Sequence, residues 1–396
     1  MNGTNKVIGV IVDNDFINDI RVLKEVEILL EFEYEIHVLC FGFIGKEYEE
    51  VKGIKTTRIW ITQKRKNQLF FFFNRLPIYE GIWRNATAKF ILKNEIEVIH
   101  THDLYMAKAV KSGIIKSKRN CPLILDLHEN YPEAIQSYNW TKGFPRNILS
   151  APKKWKKKEG RYLKYADKII TLSEKFKIQL WEKYDFLKVE DIFTFANIID
   201  FRKFENFKID KSIKKKPGTT FFYFGAIAER RGIFDVIKAV TDLQSVTNDI
   251  NLLIIGPIDK SDKIRFNQVI KSDFISYIPW INLAELLSYL NVADVCLAPF
   301  HVNPQHESGV ANKIYQYMFG KKPLIVSNCQ PQRELIQSFN SGLVFKNQKE
   351  LKECILYLSN NPKKRIELGE NGYKALYKNF DSPAFKEQFN NVYLSL

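Results

Sequence analysis

Short β-rich runs alternating with helical stretches constrain this chain more than any other feature of its sequence. Residues 7–12 (VIGVIV), 35–41, 98–101, 123–127 and 168–172 are apolar runs of strand length with longer stretches between them. After the first run, Asp19 stands where a side chain caps a helix start, and Val22, Val26, Leu29 and Leu30 share one helical face. Strands alternating with helices predict a parallel, doubly wound sheet. The pattern lapses over residues 202–217 (RKFENFKIDKSIKKKP), which are basic, lack a period and lead into Gly218. A second series follows: FFYFG after Thr219, a helix from about Gly232, then NLLIIG, ISYI, ADVCLAP and PLIVS. The expectation is two similar α/β domains, residues 1–201 and 218–378, joined by a linker over 202–217. A C-terminal helix over 379–396 is expected to return to the first domain. Ligands of such sheets bind beyond the carboxyl ends of the strands, so two facing sheets would hold the site in the cleft between them.

The segment from His301 to Asn328 shows how one crossover can carry chemistry. A polar loop (residues 303–311) leads into a helical run in which Ile314, Tyr317 and Met318 share a face; Gly320 ends it, and Pro323 opens the strand Leu324-Ile325-Val326. A polar loop feeding a helix N-terminus suits an anion, because free N–H groups and the helix dipole point at it. Asn312, Lys313 and Gln316 lie within a turn of that start, placed for hydroxyls and a phosphate. The same pattern also fits an ordinary loop-helix-strand unit.

Three further constellations fall at strand ends. In FGAIAERRG, Gly225 and Gly232 let backbone pass close to a ligand, and Arg230 and Arg231 precede a helix. An arginine fork with free N–H groups suits a diphosphate, although a tight turn with two solvated arginines reads the same way. No G-x-x-x-x-G-K-[ST] phosphate loop is present. His128, in LDLHENYP, is polar where a cleft residue would stand, with Asp126 and Glu129 beside it; a buried, hydrogen-bonded histidine is the alternative. His100, His102 and Asp103 follow the run EVI and either line an acceptor pocket or support the sheet.

Composition narrows the class. The chain has 396 residues, enough for two full cores, and 45% hydrophobic residues, as in a folded globular protein. No apolar run approaches the ~20 residues that span a bilayer, and the start MNGTNKVIGV does not read as a signal peptide. Five scattered cysteines without a C-x-x-C pair read as reduced, cytosolic and mostly buried, and six histidines without ligand spacing give no metal signal. The formal charge of +15 implies an anionic partner. Four consecutive phenylalanines, Phe70 to Phe73, stand near the basic Lys64-Arg65-Lys66, and a lysine cluster follows at Lys153 to Lys158. Together they suit either an interfacial membrane patch or a buried helix with a solvated face. No helix-turn-helix, zinc-finger or RNA-binding pattern stands out, which argues against nucleic acid as the partner.

The ordered set of motifs resembles a family-4 glycosyltransferase of the GT-B fold over most of the length. NDIRVLKEVEILL is similar to that family's D-x-R-V-x-K-E helix, and VIHTHD and LILDLHENYPEA to its H-x-H-D and D-x-H-E strand ends. YFGAIAERRGIFDVIKA resembles its phosphate-binding turn, and NKIYQYMFGKKPLIVS its N-K-x-x-E-Y-M segment. The resemblance implies GT-B architecture, two Rossmann-like domains facing a cleft, and a retaining, metal-independent transferase that needs no cofactor beyond a nucleoside-diphosphate sugar. It implies that Arg231, with Arg230 and Gly225 beside it, binds the donor diphosphate. His128 then contacts the donor sugar, Asn312 and Lys313 lie at the nucleotide or phosphate end, and Gln316 stands where many members have a ribose-binding glutamate. Gln316 is the position of the second of two family glutamates and the first falls on Ser308; Glu307, one residue earlier, is a catalytic candidate, and Gly309 is a further donor-loop candidate. His102, Asp103 and Glu129 are the acceptor-side candidates. The implied acceptor is a glycan, lipid-linked, at an anionic membrane surface on the cytoplasmic side, in cell-surface polysaccharide assembly. A sugar-nucleotide epimerase or phosphorylase of the same fold, and a nucleic-acid-binding protein, are the rival readings.

Overall fold

The computed structural model describes residues 6–43, 48–51, 53–73, 76–138 and 141–396. It divides into two compact units, one of residues 1–197 with 386–396, the other of residues 198–385.

The first unit is built on an eight-stranded sheet. Its strands are β1 (Val7–Val12), β2 (Glu35–Gly42), β3 (Tyr48–Val51), β4 (Ile54–Trp60), β5 (Val98–His102), β6 (Leu123–Asp126), β7 (Lys168–Thr171) and β8 (Ile192–Thr194). The order is β3-β4-β2-β1-β5-β6-β7-β8, and every pairing is parallel except that of β3 with β4. The chain winds outward in both directions from β1 and β5, so the crevice at their carboxyl ends is where such a sheet takes a ligand. Central strands covered on both faces read as continuous apolar runs, as β1 and β2 do. The sequence reading missed β3, β4 and β8, which are short or interrupted by charged residues, as in IKTTRIW.

The second unit carries a six-stranded, wholly parallel sheet: β9 (Thr219–Phe224), β10 (Ile250–Ile255), β11 (Ile275–Ile278), β12 (Val295–Ala298), β13 (Leu324–Ser327) and β14 (Gly342–Phe345). The order β11-β10-β9-β12-β13-β14 reverses between β9 and β12. The helix Ile233–Leu243 packs its apolar face on this sheet through Val236, Ile237 and Val240, all buried.

The segment read as a linker is part of the second unit. Residues 201–205 form a helix capped by Asp200, Asp210 N donates to Ser288 Oγ (2.8 Å), and Lys215 Nζ pairs with Asp294 (2.7 Å). Its charges are tethers along the unit's edge, which a count of basic residues does not distinguish from a flexible connection. The C-terminal helix Pro383–Leu394 contributes Phe389 and Tyr393 to the core of the first unit; Phe389 meets Phe195 at 4.4 Å between ring centroids, and Tyr34 Oη donates to Asn390 (2.8 Å).

The phenylalanine run divides. Phe73 is buried and stacks on Trp155 (5.7 Å), and Phe70 meets Tyr79 and Tyr105 edge-on; Phe72 is 38% exposed. Phe73 belongs to the core, Phe70 and Phe71 are half-buried and Phe72 is exposed, so the run is neither a four-ring surface nor a wholly buried helix. Asn74 and Arg75, which follow the run, lie outside the described residues. All five cysteines are free, and all but Cys354 are buried.

Candidate active site

In the second unit the site starts where β9 ends. Gly225 has φ 135°, and a Cβ there would lie 3.1 Å from Lys313 Nζ. The turn Glu229–Arg231 follows, closed by Gly232 at φ 72°; a Cβ on Gly232 would come within 1.7 Å of Pro299 O, so only glycine brings this turn against the end of β12. The helix Asn312–Phe319 is held to β9 by Tyr317, whose hydroxyl accepts from Phe224 N (2.8 Å). That contact sets the face on which Lys313 points inward.

Lys313 is 6% exposed, with Nζ 3.7 Å from the centre of the Tyr223 ring and 5.1 Å from that of Phe300. Neither Lys313 Nζ nor Arg231 Nε has a hydrogen-bond partner. Both lie against Gly225, Arg231 Nη1 3.7 Å from its would-be Cβ. Burial first, and the neighbouring Arg231 charge second, pull the Lys313 amine well below the usual lysine range. Buried polar groups in folded proteins are nearly always paired. Two adjacent cationic side chains without a counter-ion make a receptor for an anion, and two charges suit a diphosphate.

The loop between β12 and this helix is ordered by its own side chains. Asn303 Oδ1 accepts from Gln305 N and His306 N (both 3.0 Å), His306 Nδ1 lies 2.8 Å from His301 O, and His301 Nε2 meets Asp235 (2.8 Å). Burial, with Arg230 and Arg231 nearby, lowers His306 to about 4. Ser308 is buried and donates to Gln305 O (2.7 Å). Glu307 Oε1 accepts from Gln330 N (2.7 Å) at the start of the helix Gln330–Ser338. The structure thus gives Ser308 and Glu307 structural partners. Gly309 lies in the same loop, Asn312 is exposed at the first turn of its helix, and Gln316 is half-buried one turn on, on the same side. Arg230 is half-buried, and its carbonyl accepts from His301 N (3.1 Å).

In the first unit a network of ionisable groups lies under the ends of β5 and β6. Asp19 caps the helix Ile20–Glu31 and accepts from Val22 N, which places Arg21 in the first turn and Glu25 one turn later. Arg21 Nη2 donates to both oxygens of Asp126 (2.8 Å each), and Nε to Oδ2 (3.0 Å). Burial pushes Asp126 up, but the Arg21 charge and bonds from His102 and His128 outweigh it and hold the carboxyl well below its usual range. Glu25 is buried beside Asp126, and both effects raise it well above the ordinary value. His102 Nδ1 lies 2.9 Å from His128 Nε2; His100 Nδ1 lies 2.7 Å from the Tyr393 hydroxyl. Burial lowers both His100 and His102. His128, the one histidine of the three with appreciable exposure, also loses by burial, but Asp103 and Asp126 reverse the effect and its pKa is raised.

Asp103 ends β5 at φ 70°, in a conformation that L-residues seldom adopt. Burial pushes its carboxyl up to about 6. The Tyr105 hydroxyl lies 3.0 Å from Asp103 and 2.9 Å from Asp13, and Tyr79 donates to Asp13 (2.5 Å). Glu129 accepts from the Tyr138 hydroxyl.

The structure therefore gathers Gly225, Arg231 and Lys313 in one unit, and His102, His128 and Asp103 in the other. Residues singled out by neither spacing nor composition are Asp13, Tyr79, Tyr105 and Tyr393. Asp13 had a signal, its place at the end of β1; the tyrosines come from elements far along the chain and had none. Glu25, His100, His102 and Asp126 also have ligating atoms within 4.8 Å of one another, but Arg21 already occupies Asp126 and contacts Glu25 at 2.9 Å, so the cluster is a charge-compensated brace.

Two open, largely parallel sheets, one with two cationic side chains carrying unpartnered atoms at its switch point, match the architecture of nucleotide-sugar enzymes of the GT-B fold. Residues 22–203 match the model of glycosyltransferase family 4, and residues 204–375 that of the group 1 glycosyl transferases. The chain belongs to this glycosyltransferase family and is a glycosyltransferase. No curated protein sequence matches it. Among solved structures it is similar to sucrose-phosphate synthase from Thermosynechococcus elongatus (TM-score 0.72, 15% identity, 98% of each chain covered). It is also similar to an α,α-trehalose-phosphate synthase from Burkholderia vietnamiensis (TM-score 0.72, 10% identity, covering 99% of this chain and 100% of the other). Anabaena HepE, solved in complex with UDP and glucose, matches with TM-score 0.67 and 12% identity, over 99% of this chain and 100% of that one. At these identities the likeness is one of fold.

Proposed function

We propose that this glycosyltransferase moves a sugar, with retention, from a nucleoside-diphosphate sugar to a lipid-linked glycan during cell-surface polysaccharide assembly. The observation that carries the donor class is the pair of cationic side chains, Lys313 and Arg231, that have buried atoms without partners at the end of β9. Cleaving the donor leaves negative charge on the departing diphosphate as the sugar becomes oxocarbenium-like. Preorganised cations and N–H groups stabilise that charge most where water is excluded. Lys313 and Arg231 are so placed, with the N-terminus of the helix Asn312–Phe319 adjacent. A divalent cation at the same point would meet two positive neighbours, which supports a reaction run without metal. Gln316 holds ribose hydroxyls, and Asn312 the nucleotide end. Arg230 assists Arg231, and Gly309 and the backbone around Ser308 shape the loop that closes on the donor sugar.

In the first unit His128 is kept in one orientation by His102 and Asp126, which suits the sugar-contacting role that the family likeness gives it. Asp103, Asp13 and Tyr105 offer acceptors and a donor for acceptor hydroxyls. With retention, the leaving phosphate takes the acceptor proton, so no separate protein base is needed. Uridine is the favoured base, since HepE, which shares the fold, was solved with UDP and with UDP-glucose. The lipid-linked acceptor of this proposal is met at the surface of the cytoplasmic leaflet; no helix among the described residues is long and apolar enough to cross a membrane.

A thermal-shift screen over nucleoside diphosphates and their sugars tests the donor class. A ligand at 100 times its Kd stabilises by about 2.7 kcal/mol, a shift of several degrees. UDP should stabilise the parent and not the Lys313→Met, Arg231→Ala double variant. Equal shifts in both proteins, or a response to oligonucleotide alone, would remove the assignment.

A further inference from the structure

We infer that the segment of residues 142–157 in the first unit is the contact with an anionic bilayer, centred on the Phe144 side chain. This rests on the proposed lipid-linked acceptor and names the surface that would reach it.

Phe144 is 85% exposed, more than any other large apolar side chain among the described residues, and Ile148, four residues on, is 50% exposed. A phenylalanine in water forgoes the burial that normally places it in a core. The backbone holds it there firmly. Asn147 N bonds to Gly143 O (2.9 Å), Leu149 N to Pro145 O (3.1 Å), and the Thr141 hydroxyl to Ile135 O (2.9 Å) and Tyr138 O (2.8 Å). The ring is thus presented on a fixed turn followed by the short helix Arg146–Ser150.

The charge around the ring has one sign. Residues 142–157 contain no Asp or Glu. Lys142 and Arg146 flank Phe144, and Lys153, Lys154 and Lys157 follow; all five are exposed, and among the described residues no carboxylate pairs with any of them. Lys156 is the exception, since it reaches Glu133 (2.8 Å). In the helix Lys154–Leu163 the inward positions are filled by Trp155, Glu159, Tyr162 and Leu163 and Lys158 folds over the Trp155 ring, which leaves Lys154, Lys156 and Lys157 exposed. Trp155 stacks on Phe73, which joins this segment to the end of the helix Gln63–Phe71. Exposed Phe72 is the neighbour of that buried ring.

A single apolar tip surrounded by unpaired cations is complementary to an anionic leaflet. The ring enters the interface while the lysines stay at headgroup level, and the charge attraction extends about a Debye length, ~8–10 Å in ordinary salt. A protein partner would be expected to need a broader apolar face than one ring and one isoleucine. Nucleic acid would draw on the cations and leave the ring without a use.

Co-sedimentation with vesicles of phosphatidylglycerol and phosphatidylcholine tests the inference, using the full chain. The parent should bind these vesicles, bind pure phosphatidylcholine far less, and release as salt rises. Phe144→Ser should weaken partition about tenfold or more, Phe144→Trp should preserve it, and Lys153→Glu with Lys154→Glu should weaken it at least ~5-fold per residue. These positions are solvent-exposed, so the melting temperature and the UDP-induced shift should stay at parent values in every variant. Parent-like partition of Phe144→Ser, equal binding to neutral vesicles, or binding to oligonucleotide without vesicle binding would each overturn the inference. A parent that binds vesicles but shows no UDP response would instead refute the donor reading and leave this surface standing.

Discussion

Replacing Lys313 by methionine should separate stability from function in opposite directions. Truncating a buried core side chain usually costs about 2–5 kcal/mol. Lys313 differs because its amine is buried 3.7 Å over the Tyr223 ring with no hydrogen-bond partner. Leaving such a group unsatisfied costs about 1–3 kcal/mol, which the substitution removes. Against this, the cation–π attraction to the ring, about 0.5–2 kcal/mol, disappears, and a methionine sulfur over the same ring restores about 0.3–1.5 kcal/mol. On balance these terms leave Lys313→Met about 1–2 kcal/mol more stable than the parent, a rise of a few degrees in Tm. Donor binding loses a charge-assisted bond worth about 1.5–3 kcal/mol, so UDP affinity should fall about 10- to 150-fold. Proton linkage gives a second readout. The free amine is held well below the lysine range, and a bound diphosphate draws it back up, so UDP binding takes up protons and weakens as pH rises through that interval. Calorimetry in buffers of different ionisation enthalpy measures the uptake, and Lys313→Met should abolish it. If the variant instead loses several kcal/mol of stability while binding UDP like the parent, Lys313 is a core residue and the anion receptor does not exist.

Three other outcomes follow from the same geometry. Arg231→Ala should lower donor turnover by about 2–4 kcal/mol of transition-state stabilisation with the melting temperature unchanged, checked by kcat/KM for the donor; a change within about twofold would exclude the role. Gln316→Glu should keep or improve UDP affinity and Gln316→Leu weaken it by about 1–3 kcal/mol, measured by titration, whereas three equal affinities would place Gln316 off the site. Asp103, pushed up to about 6, becomes a carboxylate as pH rises through that value and can then accept from an acceptor hydroxyl. Transfer should therefore rise with pH near 6, Asp103→Asn should remove that limb, and an unchanged profile would show that Asp103 does not face the acceptor.

Much of this architecture was legible because parallel sheets advertise themselves. Buried on both faces, their central strands read as unbroken apolar runs, and β1, β2, β9 and β10 stand out for that reason. Strands near the edge lack the signal: β4, next to the edge strand β3, reads IKTTRIW, with charged or polar residues between its buried positions, and went unread. Arg231 and Lys313 were legible as residues near a turn and a helix start, but the sequence could not show that Lys313 is buried. That depends on Tyr317 fixing the helix to Phe224, a contact across 93 positions. His100 illustrates the same limit, since its partner Tyr393 lies 293 residues later. The phenylalanine run misled because composition cannot say which of four adjacent rings faces out. Helical spacing in the following turn sends Phe73 onto Trp155 and leaves Phe72 in solvent, while the lone Phe144 gave no run to notice.

What separates structural charge from functional charge in this molecule is whether the protein completes it. In the first unit Arg21, Asp126 and Glu25 are buried, and the Arg21 guanidinium meets a carboxylate at every nitrogen but Nη1, which donates to Phe195 O (3.2 Å). The Glu25 oxygens have no hydrogen-bond partner but face the Arg21 guanidinium at 2.9 Å, and removing one member would strand the other charge at a cost of about 3–5 kcal/mol. The role of that network is to hold His102 and His128 in place. The second unit does the reverse. Lys313 and Arg231 are brought together by Gly225 and Gly232 without a carboxylate between them, so the uncompensated state is the free enzyme and the compensated one is the complex. Under the proposed function a diphosphate bound there would recharge the Lys313 amine and pair both groups, which favours the group on which charge develops during transfer.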